Sequence, residues 1–269
     1  MHFGVSGVDV SPIVPVLVGF GIATLTTPAG VSGAFLLLPF QFSVLGFTAP
    51  GVTPTNLLYN VISTPGGIGK YTIDGALDWS LIRAIATGAV PGVVAGSILR
   101  VTLFEDPGNF KVFVGFVLLG LGINLVYQAA RRAARAGTAT TFVRARVVLL
   151  AMGAGTIGGI YGVSGGSIIA PVLAGVFQLP VRRVAPAALV ATLITSVAGV
   201  VSFEILSLTG ASSASGRPDW LLALLFGIGG AAGGYTGARI NKLMPERALR
   251  TLLGLLALTL ACFYVAPIF

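Results

Sequence analysis

Apolar runs follow one another almost without interruption from residue 12 to residue 266, and few folds can accept such a chain. Ten runs can be read, at 12–28, 31–46, 51–66, 80–101, 110–128, 145–160, 164–178, 185–207, 219–239 and 248–266. Only 9% of the 269 residues are charged, against 55% hydrophobic. A soluble protein carries about 25% charged residues and needs them to cover its surface. Transmembrane barrels are excluded because their strands alternate polar and apolar positions, whereas these runs are continuous. Cys262 is the one cysteine, so there is no disulfide framework. The expected fold class is an all-α polytopic membrane protein of the inner or plasma membrane, with the lipid bilayer as its partner.

The net charge of +8 does not point to nucleic acid, because the basic residues sit in short links between the runs. Thirteen of the sixteen flank the third, fifth, seventh and ninth links; Arg100, Lys111 and Arg217 fall on the other side. By the positive-inside rule the Arg-rich linker is cytoplasmic and both termini are external. The N-terminus does not read as a signal peptide, since no basic stretch precedes the first run and Asp9 does. Runs one, two, three, six and seven hold only 15–17 residues, and a crossing takes about 20. Runs one and two meet at Pro28-Ala29-Gly30, and runs six and seven at Tyr161-Gly162. Each pair is either two crossings or a re-entrant hairpin.

The chain also repeats itself. Gly30-Val31-Ser32-Gly33 returns 132 residues later as Gly162-Val163-Ser164-Gly165. The same offset carries Pro39 onto Pro171, Pro54 onto Pro186 and Leu57 onto Leu189. After a Ser/Gly-rich insertion near 210–217 the offset becomes 141, carrying Asp78-Trp79 onto Asp219-Trp220. Gly88, Gly92 and Gly96 then map onto Gly229, Gly233 and Gly237. The expected organisation is a first repeat at 1–130, a linker at 131–145 and a second repeat at 146–269. Five segments per repeat make an odd number of crossings, so the second repeat is expected to be inverted. Inverted repeats with broken helices are a layout of secondary transporters, with the site near the midplane between the halves.

Paired Gly-x-x-Gly-type breaks, each followed by an apolar half-helix and a proline, resemble the TauE/SafE family of sulfite exporters. The Thr53-Pro54-Thr55-Asn56 stretch and the helices with glycine at every fourth position add to the resemblance, which spans about residues 14–265. It implies an integral membrane permease for sulfite or a related organosulfur or organic acid anion. The first break reads Gly33-Ala34 where the second reads Gly165-Gly166.

The breaks are the leading candidate site. Glycine lets backbone N–H groups face a ligand, and a half-helix starting there presents the positive end of its dipole. Such a site needs no buried Arg to hold an anion. Candidate substrate contacts are Gly30, Ser32, Gly33, Gly162, Ser164, Gly165 and Gly166. Asn56 and Asn60 share one helix face and either line the path or bond a neighbouring helix. Thr192 stands opposite Asn60 in the second repeat. Glu204, the one acid in the interior of a run, is either a proton-coupling group or a surface residue. Gln41 and Gln178 are expected at the membrane interface.

Asp78 and Asp219 are read as N-caps beside interfacial Trp residues. Gly-x-Ser-Gly is also the nucleophile motif of intramembrane serine hydrolases, but that chemistry needs a base, and the one histidine is His2. No enzyme activity, cofactor or metal is expected. The expected function is secondary transport of a small anion, exported, with an anion channel as the alternative and a homodimer left open. The topology is tested with single cysteines at Val5 and Ala136 in a Cys262→Ala background. An impermeant maleimide added to intact cells should label position 5 and not 136, and the reverse pattern refutes the assignment.

Overall fold

The computed structural model describes residues 1–27, 31–73, 75–130, 144–175, 177, 179–210, 216–240 and 246–266. Gly30 and the rest of the first break's leading edge, linker residues 131–143, insertion residues 211–215 and Gln178 lie outside the described residues. The chain forms α1 (Ile13–Thr26), α2 (Ala34–Ser43), α3 (Val52–Ser63), α4 (Pro65–Ile73), α5 (Trp79–Thr102) and α6 (Pro107–Ala130). The second half forms α7 (Arg144–Tyr161), α8 (Gly165–Gly175), α9 (Val181–Leu208), α10 (Trp220–Ile240) and α11 (Glu246–Val265). A small antiparallel hairpin, β1 (His2–Phe3) and β2 (Val8–Asp9), precedes them. Helices α5, α6, α9, α10 and α11 are long and apolar enough to cross a membrane. The protein is an all-α multi-pass membrane protein.

Local chemistry sets the helix ends. Asp78 caps α5 by accepting from the Leu81 N–H at 3.0 Å, and Asp219 caps α10 by accepting from Leu222 at 3.0 Å. Trp79 and Trp220 stand exposed beside them. The run 51–66 forms α3, which stops at Ser63 because Pro65 has no N–H for the carbonyl four residues back, and α4 starts at Pro65 and continues past the run. The matching position in the second half is Val197, and there α9 runs unbroken for 28 residues. With 10 and 11 residues, α2 and α8 each span about half of the ~30 Å hydrocarbon core.

Packing follows the glycines. Helix α5 lies along α7, α1 along α10, and α6 along α11. Exchanging the two halves turns the first pair into the second and leaves the third unchanged. The correspondence reaches single residues. A Cβ on Gly88 would stand 2.0 Å from the Val148 carbonyl oxygen, and one on Gly229 2.0 Å from that of Val16. Gly92 meets the Met152 carbonyl at 2.2 Å as Gly233 meets that of Phe20 at 2.2 Å. Val16 and Phe20 precede Val148 and Met152 by 132 residues, and the glycine pairs differ by 141. The repeat offsets therefore recur as contacts in space.

The order of these contacts gives direction: α1 runs parallel to α10, and α7 parallel to α5. The last turn of α5 and the first residue before α10 both bond the first turn of α3, Arg100 through Thr53 and Asp219 through Thr55. The end of α5 and the start of α10 thus share one end of the molecule. Helices α1 and α2 form a hairpin that returns to this end, where Phe42 and Ser43 meet Phe110 and Tyr264. The N-terminal hairpin closes over the same end. Its Phe3 and Val8 are buried, and the Ser6 N–H and hydroxyl donate to Asp219 Oδ2 at 3.1 and 2.8 Å.

Backbone contacts this close leave no room for a side chain. Gly92→Leu and Gly233→Leu should each cost about 3 kcal/mol or more through overpacking and cut the monodisperse yield. Gly21→Ala, facing open space, should melt like the parent. Normal yield and melting of both leucine variants would place those faces against lipid.

Candidate anion site at the two helix breaks

Breaking a helix within a membrane frees backbone groups that water does not reach, so each must find another partner. Helix α3 supplies them. The Asn56 Nδ2 donates to the Ala34 carbonyl at 2.8 Å and to the Gly162 carbonyl at 3.0 Å. One amide nitrogen thus holds both breaks. One turn on, Asn60 Nδ2 donates to the Val163 carbonyl at 3.3 Å, while its Oδ1 accepts from the Ser32 hydroxyl at 2.8 Å. Both asparagines are buried. Pro39 leaves the Phe35 carbonyl without its helical partner, and the Tyr161 hydroxyl, from the second break, donates to it at 2.7 Å.

The second break turns sharply. Gly162 has φ +91° and Ser164 has φ +74°. A serine in the left-handed region is uncommon, and such strain persists only where the surroundings impose it. Ser164 is buried, and its hydroxyl stands 3.5 Å from that of Ser167, which stands 3.2 Å from that of Thr192. The structure therefore joins Ser32, Asn56 and Asn60 to the first break, and Ser164, Ser167 and Thr192 to the second. The α3 asparagines bridge the two groups.

The glycines of the breaks are fixed by packing. A Cβ on Gly166 would lie 2.4 Å from the Ala188 carbonyl oxygen, and one on Gly165 2.9 Å from the Ala89 side chain and the Gly155 backbone. One on Gly162 would meet the Thr53 carbonyl at 2.8 Å, and one on Gly33 the Tyr59 hydroxyl at 2.6 Å. Substitutions there report on helix packing before they report on any ligand.

Other candidates fall elsewhere. Glu204 lies near the end of α9, where Trp220 Nε1 donates to it at 3.2 Å, away from both breaks. His2 is exposed on the N-terminal hairpin beside Asp9, not beside either serine. Gln41, expected at the membrane interface, is buried inside the protein, and its Nε2 donates to Asn56 Oδ1 at 3.4 Å. The half-helix α2 turns this residue inward against α3. Arg100, counted as a link charge, is also buried, with Nε donating to Thr53 Oγ1 at 3.1 Å. Its place two residues before the end of α5 made it count among the basic residues of the outer side. Ser167 and Tyr161 carried no pattern of their own. Two open surface hollows, of about 620 and 440 Å³, touch none of the break residues.

The sulfite exporter TauE/SafE family model matches residues 15–264, nearly the whole chain. The chain belongs to this family. The probable membrane transporter protein YunE of Bacillus subtilis (strain 168) is 24% identical, over 93% of this chain and 96% of its own. A second protein of that strain, the probable membrane transporter protein YjnA, is 22% identical over 87% and 92%. The probable membrane transporter protein MJ0441 of Methanocaldococcus jannaschii is 25% identical over 88% and 89%. No solved structure matches this TauE/SafE chain. The family and these relatives make the protein a membrane transporter.

The bridging amide can be tested apart from transport. Asn56→Ala removes the donor to Gly162 and should cost about 1–3 kcal/mol. Asn56→Asp sets a carboxylate against two carbonyls and should melt lower still. Equal melting temperatures for wild type and both variants would mean that the bridge holds nothing together.

Proposed function

We propose that this TauE/SafE protein is a secondary permease of the cell membrane for a small anion, sulfite or a related organosulfur or organic acid anion. The single observation that carries this reading is the meeting of two helix breaks on the amides of α3. Half-helices α2 and α8 both begin at this meeting point. In α2 the Ala34 N–H donates to the Ser32 hydroxyl and those of Phe35 and Leu36 turn back to the Ser32 and Gly33 carbonyls, so what the half-helices offer is the partial positive charge of their dipoles. Hydroxyls of Ser32, Ser164 and Thr192 and the amides of Asn56 and Asn60 complete a neutral, donor-rich lining. Inversion of the two repeats is part of the proposal, and it is supported by α1 following α10 while α7 follows the oppositely directed α5.

Thr192 and the asparagines are at most 2% exposed, which favours a carrier in an occluded state over an open pore. Export is the proposed direction, because an inside-negative potential favours anion exit by about 2.3 kcal/mol per charge per 100 mV. Opening requires the α3 amides to trade break carbonyls for ligand or for water.

Proteoliposomes offered sulfite, thiosulfate, sulfoacetate, sulfate and a keto acid under a set potential provide the test. At least one of the first three should move. Ser32→Ala and Ser164→Gly should each weaken its apparent affinity about tenfold to a hundredfold, the loss of a hydrogen bond to a charged oxygen; Ser32→Ala also loses its bond to Asn60 and should melt lower, so affinity is read well below the melting temperature of each variant. Glycine is chosen at 164 because it keeps the positive φ without strain. Unchanged affinity in both variants and in their combination removes the substrate from the breaks. Failure of the wild type to move any of the five removes the anion reading.

A further inference from the structure

The geometry points to Arg100 as an oxyanion-binding residue, forming a subsite at the end of the molecule where α5 ends and α3 begins. The inference rests on the proposed anion path and adds a full positive charge to it. Arg100 is completely buried, with a relative exposure of 0%. Its Nε donates to Thr53 Oγ1 at 3.1 Å, its Nη1 donates to the Phe104 carbonyl, and the Phe110 ring lies against its face, 3.7 Å from Cζ to centroid. Nη2 is buried with no hydrogen-bond partner. Among the described residues the ion pairs are His2 with Asp9 and Asp78 with Arg183, so no carboxylate pairs with Arg100. Glu105, the acid nearest in sequence, is exposed and outside ion-pair distance, so it offsets the Arg100 charge from afar without occupying the guanidinium edge.

A guanidinium has five N–H groups. Thr53 and Phe104 take one each, which leaves the two on Nη2 and one on Nη1. Those form the edge that grips two oxygens of a carboxylate, sulfonate or sulfite side by side, a geometry chloride does not match. A buried charge with an uncommitted edge is costly to keep without a counter-ion, and within a membrane helix such a residue marks an ion pathway. The ring of Phe110 and the carbonyl of Phe104 hold the group in place but neutralise none of its charge.

The position leads to the breaks. Thr53 Oγ1, which accepts from Arg100, itself donates to the Ile160 carbonyl at 3.1 Å, two residues before Gly162. The Thr53 carbonyl faces Gly162, and Asn56 follows one turn later on α3. Arg100 thus sits one hydroxyl away from the second break. The position 141 residues on is Asn241, so the charge belongs to one half only. An anion released from the neutral donors at the breaks meets a fixed cation at one end of its path.

The test is thermal melting of the purified full chain in detergent with sodium sulfite, sulfoacetate or acetate, against sodium chloride at equal ionic strength. At least one oxyanion should raise the wild-type melting temperature above chloride. Arg100→Gln should shift the concentration for half of that effect at least tenfold, and Arg100→Lys should shift it less, since it keeps charge and loses the fork. If Arg100→Gln does not fold, Arg100→Lys decides: a response identical to wild type overturns the subsite. A wild type that answers no oxyanion also overturns it, as does an Arg100→Gln variant that answers like wild type. The flux panel judges the central reading separately. An Arg100-dependent response alongside unaltered flux in the Ser32 and Ser164 variants keeps the subsite and removes the break site.

Discussion

Interrupting helices inside a bilayer is allowed only if something replaces the hydrogen bonds that each interruption removes, and in this protein that is the work of α3. Asn56 and Asn60 spend their amide hydrogens on carbonyls of both breaks. Tyr161 covers the carbonyl that Pro39 abandons. Each of these groups also bonds across the two halves. The same bonds that make the breaks tolerable therefore lock the halves together. Any movement that separates the halves must exchange these bonds for others, to water or to an anion.

Close backbone packing makes that arrangement reachable. With glycine at Gly88, Gly92, Gly229 and Gly233, two helix pairs approach until carbonyl oxygens occupy the space of absent side chains. Lipid provides no hydrophobic drive for helix association, so such contacts gain their energy from dispersion and need small residues. Shared offsets in sequence and in contact show one packing solution used twice. The halves interleave, α1 on α10 and α7 on α5, so neither half forms a separate body.

Much of this was legible because it depends on residue type and period. Run length separates α2 and α8 from the spanning helices. The repeat locates the glycine faces, and Asp78 and Asp219 mark the starts of α5 and α10. Other features depend on which helix lies opposite, and no single-chain pattern encodes that. Gln41 reads as an end-of-helix residue until α3 is placed beside it. Arg100 reads as a topology signal until Phe110 and Thr53 cover it. Run 51–66 matches α3, but that a second helix, α4, starts directly at Pro65 carried no apolar period of its own. The N-terminal hairpin is too short for any period, and its burial depends on Asp219 accepting from Ser6.

The distribution of charge fits a molecule that must release what it binds. A guanidinium at the meeting point of the breaks would hold an anion strongly in a low-dielectric site and slow its departure. Amides, hydroxyls and helix ends attract through partial charges, which is enough to replace hydration and weak enough to let go. In the proposed arrangement the full charge stands aside, at Arg100, where it can draw an anion along α3 without fixing it at the centre. Neutral donors at the centre and a single cation at one end also make the two ends unequal. A charge present in one half only thus makes the two ends bind an anion unequally, while the direction of net movement is left to the electrochemical gradient.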